Sequence, residues 1–207
     1  TDALAQYAIP NARDGMNLSF THHSIVGGTN AADRNIISGN DGYGLTIGGS
    51  ATFGTIVQGN SIGTDSSGTN GIANGQYGMF IYGATSNNLI GGINSNEGNV
   101  IAFNTGAGVH LYFNMTNTIA ILGNSIFNNS GLGIDLYPDG VTLNDNLDPD
   151  SGPNHLQNFP VLLSCSNNGS TLRITGYLNS IPSSTYILEL FGSWNVDASG
   201  YGQGETL

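Results

Sequence analysis

Residues 35–47 read NIISGNDGYGLTI, and residues 99–111 read NVIAFNTGAGVHL. Sliding the chain by 64 positions lays the first string on the second. Asn35, Asn40, Gly44, Gly59, Asn60 and Ile62 then meet Asn99, Asn104, Gly108, Gly123, Asn124 and Ile126, and Gly27-Gly28 meets Gly91-Gly92. A finer repeat runs inside the long one. An Asn stands four residues before a Gly at Asn11/Gly15, Asn40/Gly44, Asn74/Gly78, Asn104/Gly108 and Asn129/Gly133. After each Gly comes an apolar–variable–apolar triplet: Met16-Asn17-Leu18, Leu45-Thr46-Ile47, Met79-Phe80-Ile81, Val109-His110-Leu111 and Ile134-Asp135-Leu136. That alternation is the period of a strand with one buried face.

Two further apolar stretches follow in each unit. One includes Ile25-Val26, Ile56-Val57, Leu89-Ile90 and Ile119-Ala120-Ile121; the other starts at Asn35, Asn60, Asn99 and Asn124. Three strands in units of 25 to 34 residues predict a solenoid coil. Each coil is too thin to bury its own apolar side chains and must stack on its neighbours. Asn tolerates the backbone angles of sharp corners, and its amide can donate to the coil on one side while accepting from the other. Two Asn ladders are therefore expected: Asn11, Asn40, Asn74, Asn104, Asn129, and Asn35, Asn60, Asn99, Asn124. A β-sandwich, in which Asn and Gly only mark exposed turns, leaves these coincident spacings unexplained.

Composition agrees with an all-β chain and narrows its partners. Among 207 residues there are 32 Gly and 27 Asn, which with few charged side chains leaves no sustained amphipathic helix. Charged residues make up 8%, against about 25% in ordinary domains. Three Arg, no Lys and 14 acids give a net charge of −11, which excludes a phosphate-backbone nucleic-acid binder and disfavours an anionic membrane surface. The longest apolar runs fall far short of the roughly 20 residues of a helical membrane span, so no membrane insertion is expected. Cys165 is the sole cysteine, which rules out an internal disulfide. The opening TDALAQYA, without an initiator Met, reads as a mature or excised piece.

The strings NIISGNDGYGLTI, TIVQGNSIGTDSSGT, NNLIGG, GNVIAFNTGAGVHL, GIDLYPDGVTLND and GPNHLQNFPVL, spread over residues 11–160, resemble the right-handed parallel β-helix repeat proteins that bacteria secrete or display. The resemblance implies a helix of about five coils whose three strands per coil form the faces of a triangle. It implies an extracellular or cell-surface location. It does not name a reaction, because the fold hosts polysaccharide lyases and hydrolases, adhesins and plain spacers alike.

The chain divides into a helix over residues 1–138, an Asp/Asn-rich loop over 139–158 and a C-terminal antiparallel β segment over 159–207. In the loop, Asp139, Asn144, Asp145, Asp148 and Asp150 form an oxygen-rich set of the kind calcium takes, or else a solvated acidic loop. The C-terminal segment is expected to hold strands over 160–163, 171–178 and 186–191. Three strands do not close a sandwich, so this segment reads as incomplete, with an edge open to self-association, or else as packed onto the end of the helix.

The outward positions of the first strand predict two columns. One is Asn17, Thr46, Phe80, His110, Asp135; the other is Phe20, Gly49, Tyr82, Tyr112, Tyr137, with Tyr43 and Tyr77 alongside. Phe80, Tyr82, Tyr112 and Tyr137 are candidate ring platforms for a polysaccharide or other glycan, although stacked rings also stabilise adjacent rungs by about 0.2–1 kcal/mol per pair. Beta-helix polysaccharide enzymes, by resemblance, carry their sites on this face, and His110, Asp135 and Asp139 are the candidate acid/base residues. Three functions follow: a structural or adhesive module that binds neutral glycans, a polysaccharide-degrading enzyme, or a fibre subunit joined through coil ends or the C-terminal edge.

Overall fold

The computed structural model describes residues 1–2, 4–112, 119–194 and 199–206. Three parallel sheets wind around one axis. The first holds β1 (Met16–Ser19), β4 (Leu45–Gly48), β7 (Met79–Tyr82), β10 (Val109–Leu111) and β13 (Ile134–Leu136), in that spatial order. The second holds β2 (Ile25–Gly27), β5 (Ile56–Gln58), β8 (Leu89–Gly91) and β11 (Ala120–Leu122). The third holds β3 (Ile36–Ile37), β6 (Ser61–Ile62), β9 (Val100–Ala102) and β12 (Ser125–Phe127). Each strand pairs with the equivalent strand one coil away, so the protein is a parallel β-helix. No helix among the described residues is long and apolar enough to cross a membrane.

The inward side chains form columns. Leu45, Met79 and Val109 share one register position, and Ile47, Ile81 and Leu111 another. Val26, Val57 and Ile90 line the second sheet, and Ile37, Ile62, Ile101 and Ile126 the third; all belong to a single buried cluster. Each fully buried aliphatic contributes about 1.5–3 kcal/mol over leaving it exposed.

The corners are held by amides. Asn11, Asn40, Asn74 and Asn104 each donate from Nδ2 to Oδ1 of the next Asn, at 3.1, 2.8, 2.9 and 2.9 Å, ending on Asn129. Asn35, Asn60, Asn99 and Asn124 form a second chain at 2.9, 3.0 and 2.8 Å. The Asn-to-Gly spacing has a steric reason. A Cβ on Gly44 would lie 2.8 Å from the Asn74 Nδ2 and 2.6 Å from the Gly78 carbonyl, and Gly78 meets Asn104 and Gly108 in the same way. The ladder amide of one coil thus occupies the space that a side chain on the neighbouring coil would need.

Beyond the helix, β14 (Val161–Asn167) and β15 (Leu172–Tyr177) form an antiparallel hairpin. The strand expected over 186–191 is absent. That segment instead lies against the last coil, where the Glu189 carboxylate accepts from the Gly123 N–H at 2.9 and 3.0 Å. Gln203 extends the first ladder: its Oε1 accepts from Asn129 Nδ2 at 3.1 Å and its Nε2 donates to the Asn129 carbonyl at 2.9 Å. The C-terminal side of the helix is therefore covered by the chain itself, the packing onto the helix end that is one of the alternatives for this segment. The hairpin keeps Leu162, Leu163, Leu172 and Tyr177 exposed.

Replacing Asn74 tests the ladder at its most buried rung, where Nδ2 also donates to the Ile37 carbonyl at 3.0 Å. Asn74→Ala should lower stability by about 1–3 kcal/mol in denaturant unfolding. Asn11→Ala, at the solvent-exposed end, should cost clearly less.

Candidate functional site

The outward face of the first sheet carries Asn17, Thr46, Phe80, His110 and Asp135 at one register position. The second column starts one residue earlier than the sequence predicts. Ser19 pairs with Gly48 and Gly48 with Tyr82, so Phe20 and Gly49 are not its members. Phe20 lies past the end of β1 with a positive φ of 58°. Gly48 has no side chain because the Tyr82 ring fills the space: a Cβ there would lie 2.0 Å from it. Tyr112 and Tyr137 continue the column, each donating its N–H to the neighbouring coil in the ladder pattern (Tyr112 to Ile81, Tyr137 to Leu111).

Rings fill this face. Tyr43 stacks on Tyr77 at 5.5 Å and 9°, and Tyr77 on His110 at 4.4 Å and 5°. Phe80 sits 4.5 Å from Tyr43, 5.4 Å from Tyr82 and 5.6 Å from Tyr112. Tyr112 meets Tyr137 at 4.9 Å and 68°, edge to face. The flat stack spends the faces of Tyr43 and Tyr77 on each other and on His110. Tyr112, 41% exposed, is the most open ring of the strip. Tyr43 and Tyr77 were visible in the sequence as the residue before Gly44 and Gly78, but their stacking over the site was not.

The structure brings the three candidate acid/base residues together. His110 Nδ1 lies 3.7 Å from an Asp135 carboxylate oxygen, and Nε2 lies 3.7 Å from Asp139. His110 is completely buried under the rings, which differs from the open position that strand alternation predicts. Neither of its ring nitrogens has a hydrogen-bond partner among the described residues. Asp135 is 7% exposed and accepts from the Gly140 N–H at 3.1 and 3.3 Å, whereas the Asp139 side chain is 72% exposed. One ligand atom from each of the three can be chosen so that all lie within 4.8 Å of one another. At the other end of the face Asp14, which the sequence did not single out, accepts from the Thr46 hydroxyl at 2.7 Å and the Tyr43 N–H at 3.2 Å.

Of the five expected calcium ligands, Asp145, Asp148 and Asp150 come together. Asp139 stands beside His110 instead, and the Asn144 amide is spent on the Phe159 backbone at 2.8 and 2.9 Å. Asp148 is itself engaged by the Asn158 N–H and the Ser180 hydroxyl. Burial, with the charges of Asp145 and Asp148, pushes the Asp150 carboxyl up. An apolar cavity of about 760 Å³ lies elsewhere, between the last coil and the C-terminal segment, lined by Ile121, Leu136, Phe159 and Ile187. No family model matches the chain, and no solved structure matches it.

Burial first, then the Asp14 charge, raises the Tyr43 hydroxyl above its ordinary value. Burial first, then Asp139, does the same for Tyr77. The folded protein thus favours the neutral phenols. Their stabilisation is complete below the ordinary value of 10.0 and is lost as pH rises through the higher folded-state values. Tyr77→Phe should reduce the loss of stability between neutral pH and about pH 11, read by denaturant unfolding across that range.

Proposed function

We propose that this chain is an extracellular structural or adhesive β-helix module of the secreted and surface-displayed repeat type, and that its first sheet binds neutral glycans. One observation carries the reading: rings from successive coils form a continuous strip on one outward face, with Tyr112 exposed and Tyr82 and Tyr137 half-buried beside it. An extended aromatic surface suits the C–H faces of sugar rings, and the phenol hydroxyls can bond sugar hydroxyls. The net charge of −11 disfavours acidic polymers and leaves uncharged glycans as the better partners. Tyr112→Ala should weaken binding to a neutral glycan found on an array by about tenfold, or 1.4 kcal/mol. Unchanged affinity would remove the strip from the reading.

A second reading, a polysaccharide-degrading enzyme, is favoured by the convergence of Asp135, Asp139 and His110. Carboxylate pairs carry glycoside hydrolysis when one can give a proton and the other attack or activate water. Asp139 is the member open to a substrate, Asp135 is oriented by Gly140, and His110 lies between them. Incubation with neutral and acidic polysaccharides should release reducing ends or unsaturated products that Asp139→Asn abolishes. Absence of product from every polymer would end this reading and leave the binding module standing.

A further inference from the structure

We propose that His110, Asp135 and Asp139 form a binding site for a divalent transition-metal ion of the zinc type. The inference stands apart from the glycan reading and does not need it.

The first observation is the state of His110. Its imidazole is completely buried, yet both ring nitrogens lack a hydrogen-bond partner among the described residues. A neutral imidazole carries one donor and one acceptor, and leaving either unpaired in an interior is costly. The two nearest carboxylates flank different ring nitrogens, Asp135 at 3.7 Å from Nδ1 and Asp139 at 3.7 Å from Nε2, both too distant for hydrogen bonds. Zinc bonds of about 2.0–2.2 Å in a tetrahedron place ligand atoms roughly 3.4 Å apart. With one ligand atom from each residue lying within 4.8 Å of the others, the cluster has to contract by up to about 1.4 Å to close on one ion. Asp139, on the exposed side, is free to make that adjustment.

Charge points the same way. Two carboxylates face one imidazole, and among the described residues no Arg lies within 4 Å of either; the chain has no Lys at all. A divalent cation would balance the pair. The mixed nitrogen and oxygen donor set suits zinc-like ions, whereas calcium takes all-oxygen sites. Supporting contacts are already in place. The Gly140 N–H fixes Asp135, and the Tyr77 ring, stacked at 4.4 Å and 5°, fixes the plane of the imidazole. Three protein ligands leave a further position for water, reached from the Asp139 side.

Calorimetric titration of ZnCl₂ into the chelator-treated protein tests the site. The expected result is one site in the wild type that His110→Phe abolishes and that Asp139→Asn weakens by more than about tenfold. Phe preserves a ring to stack on Tyr77, and Asp139 is exposed, so a folding defect in the first variant leaves the second to decide. Asp148→Asn, in the separate loop cluster, should bind zinc as the wild type does. Nitrogen NMR of the His110 ring should shift on addition of one equivalent. No binding by the wild type would overturn the proposal. So would binding that survives both variants, which would place the ion at exposed His22, His23 or Cys165.

Discussion

The amide-to-amide hydrogen bond at the coil corner is the constraint on which the rest of the molecule depends. An Asn side chain carries donors and an acceptor on one short arm, so it can pass a hydrogen bond from coil to coil in a way that an ionised carboxylate cannot. Once Asn40, Asn74 and Asn104 are linked, the coils can neither slide nor rotate without breaking several buried bonds. Register follows from that lock. The aliphatic columns inside and the aromatic strip outside are both consequences of corners that repeat at a fixed height.

The strip itself reflects a competition for ring faces. Tyr43, Tyr77 and His110 lie flat on one another, so their faces stabilise rungs; the two tyrosines are partly exposed and His110 is fully buried. Tyr112 and Tyr137 meet at 68°, which leaves ring surface uncovered. The face is thus divided. One half is internally satisfied and shields His110; the other is available to a partner.

The strand triplets, the two ladders and the first outward column were legible because each depends on spacing within a coil, which the Asn-to-Gly interval marks. The second outward column was misread by one residue at its start. Phe20 follows its Gly by five positions and lies past the end of β1, where the backbone adopts a positive φ. The third corner was invisible for a different reason. It is built from Thr21, Thr52 and Thr85 with Asn88 donating no recognisable pattern, and its contacts change character from coil to coil: Thr52 Oγ1 receives the Thr21 N–H, and Asn88 Oδ1 receives the Thr55 N–H. The burial of His110 could not be read from strand alternation, since what covers it comes from Tyr77 on the preceding coil and from the Asp139–Gly140 loop beyond the repeat.

The ladder also has a direction, and the direction explains the C-terminal segment. Each Nδ2 of the first ladder before Asn129 donates to the Oδ1 of the later coil, and Asn129, which also donates to the Ile101 and Phe127 carbonyls, has no later Asn to meet. Gln203 supplies the acceptor from an amide a methylene longer, reaching in from a strandless stretch of chain. Backbone donors on the last coil face the same problem. Glu189 takes the Gly123 N–H, the Gly204 carbonyl takes the Ile126 N–H, and Asn154 takes the Ile119 N–H while returning a bond to its carbonyl. Residues 186–191 are a mainly apolar run of strand-forming side chains, but pairing with β15 would have taken Glu189 away from the Gly123 N–H. Capping the solenoid outweighs extending the hairpin, because buried backbone groups without partners cost more than an unmade edge ladder that water can solvate.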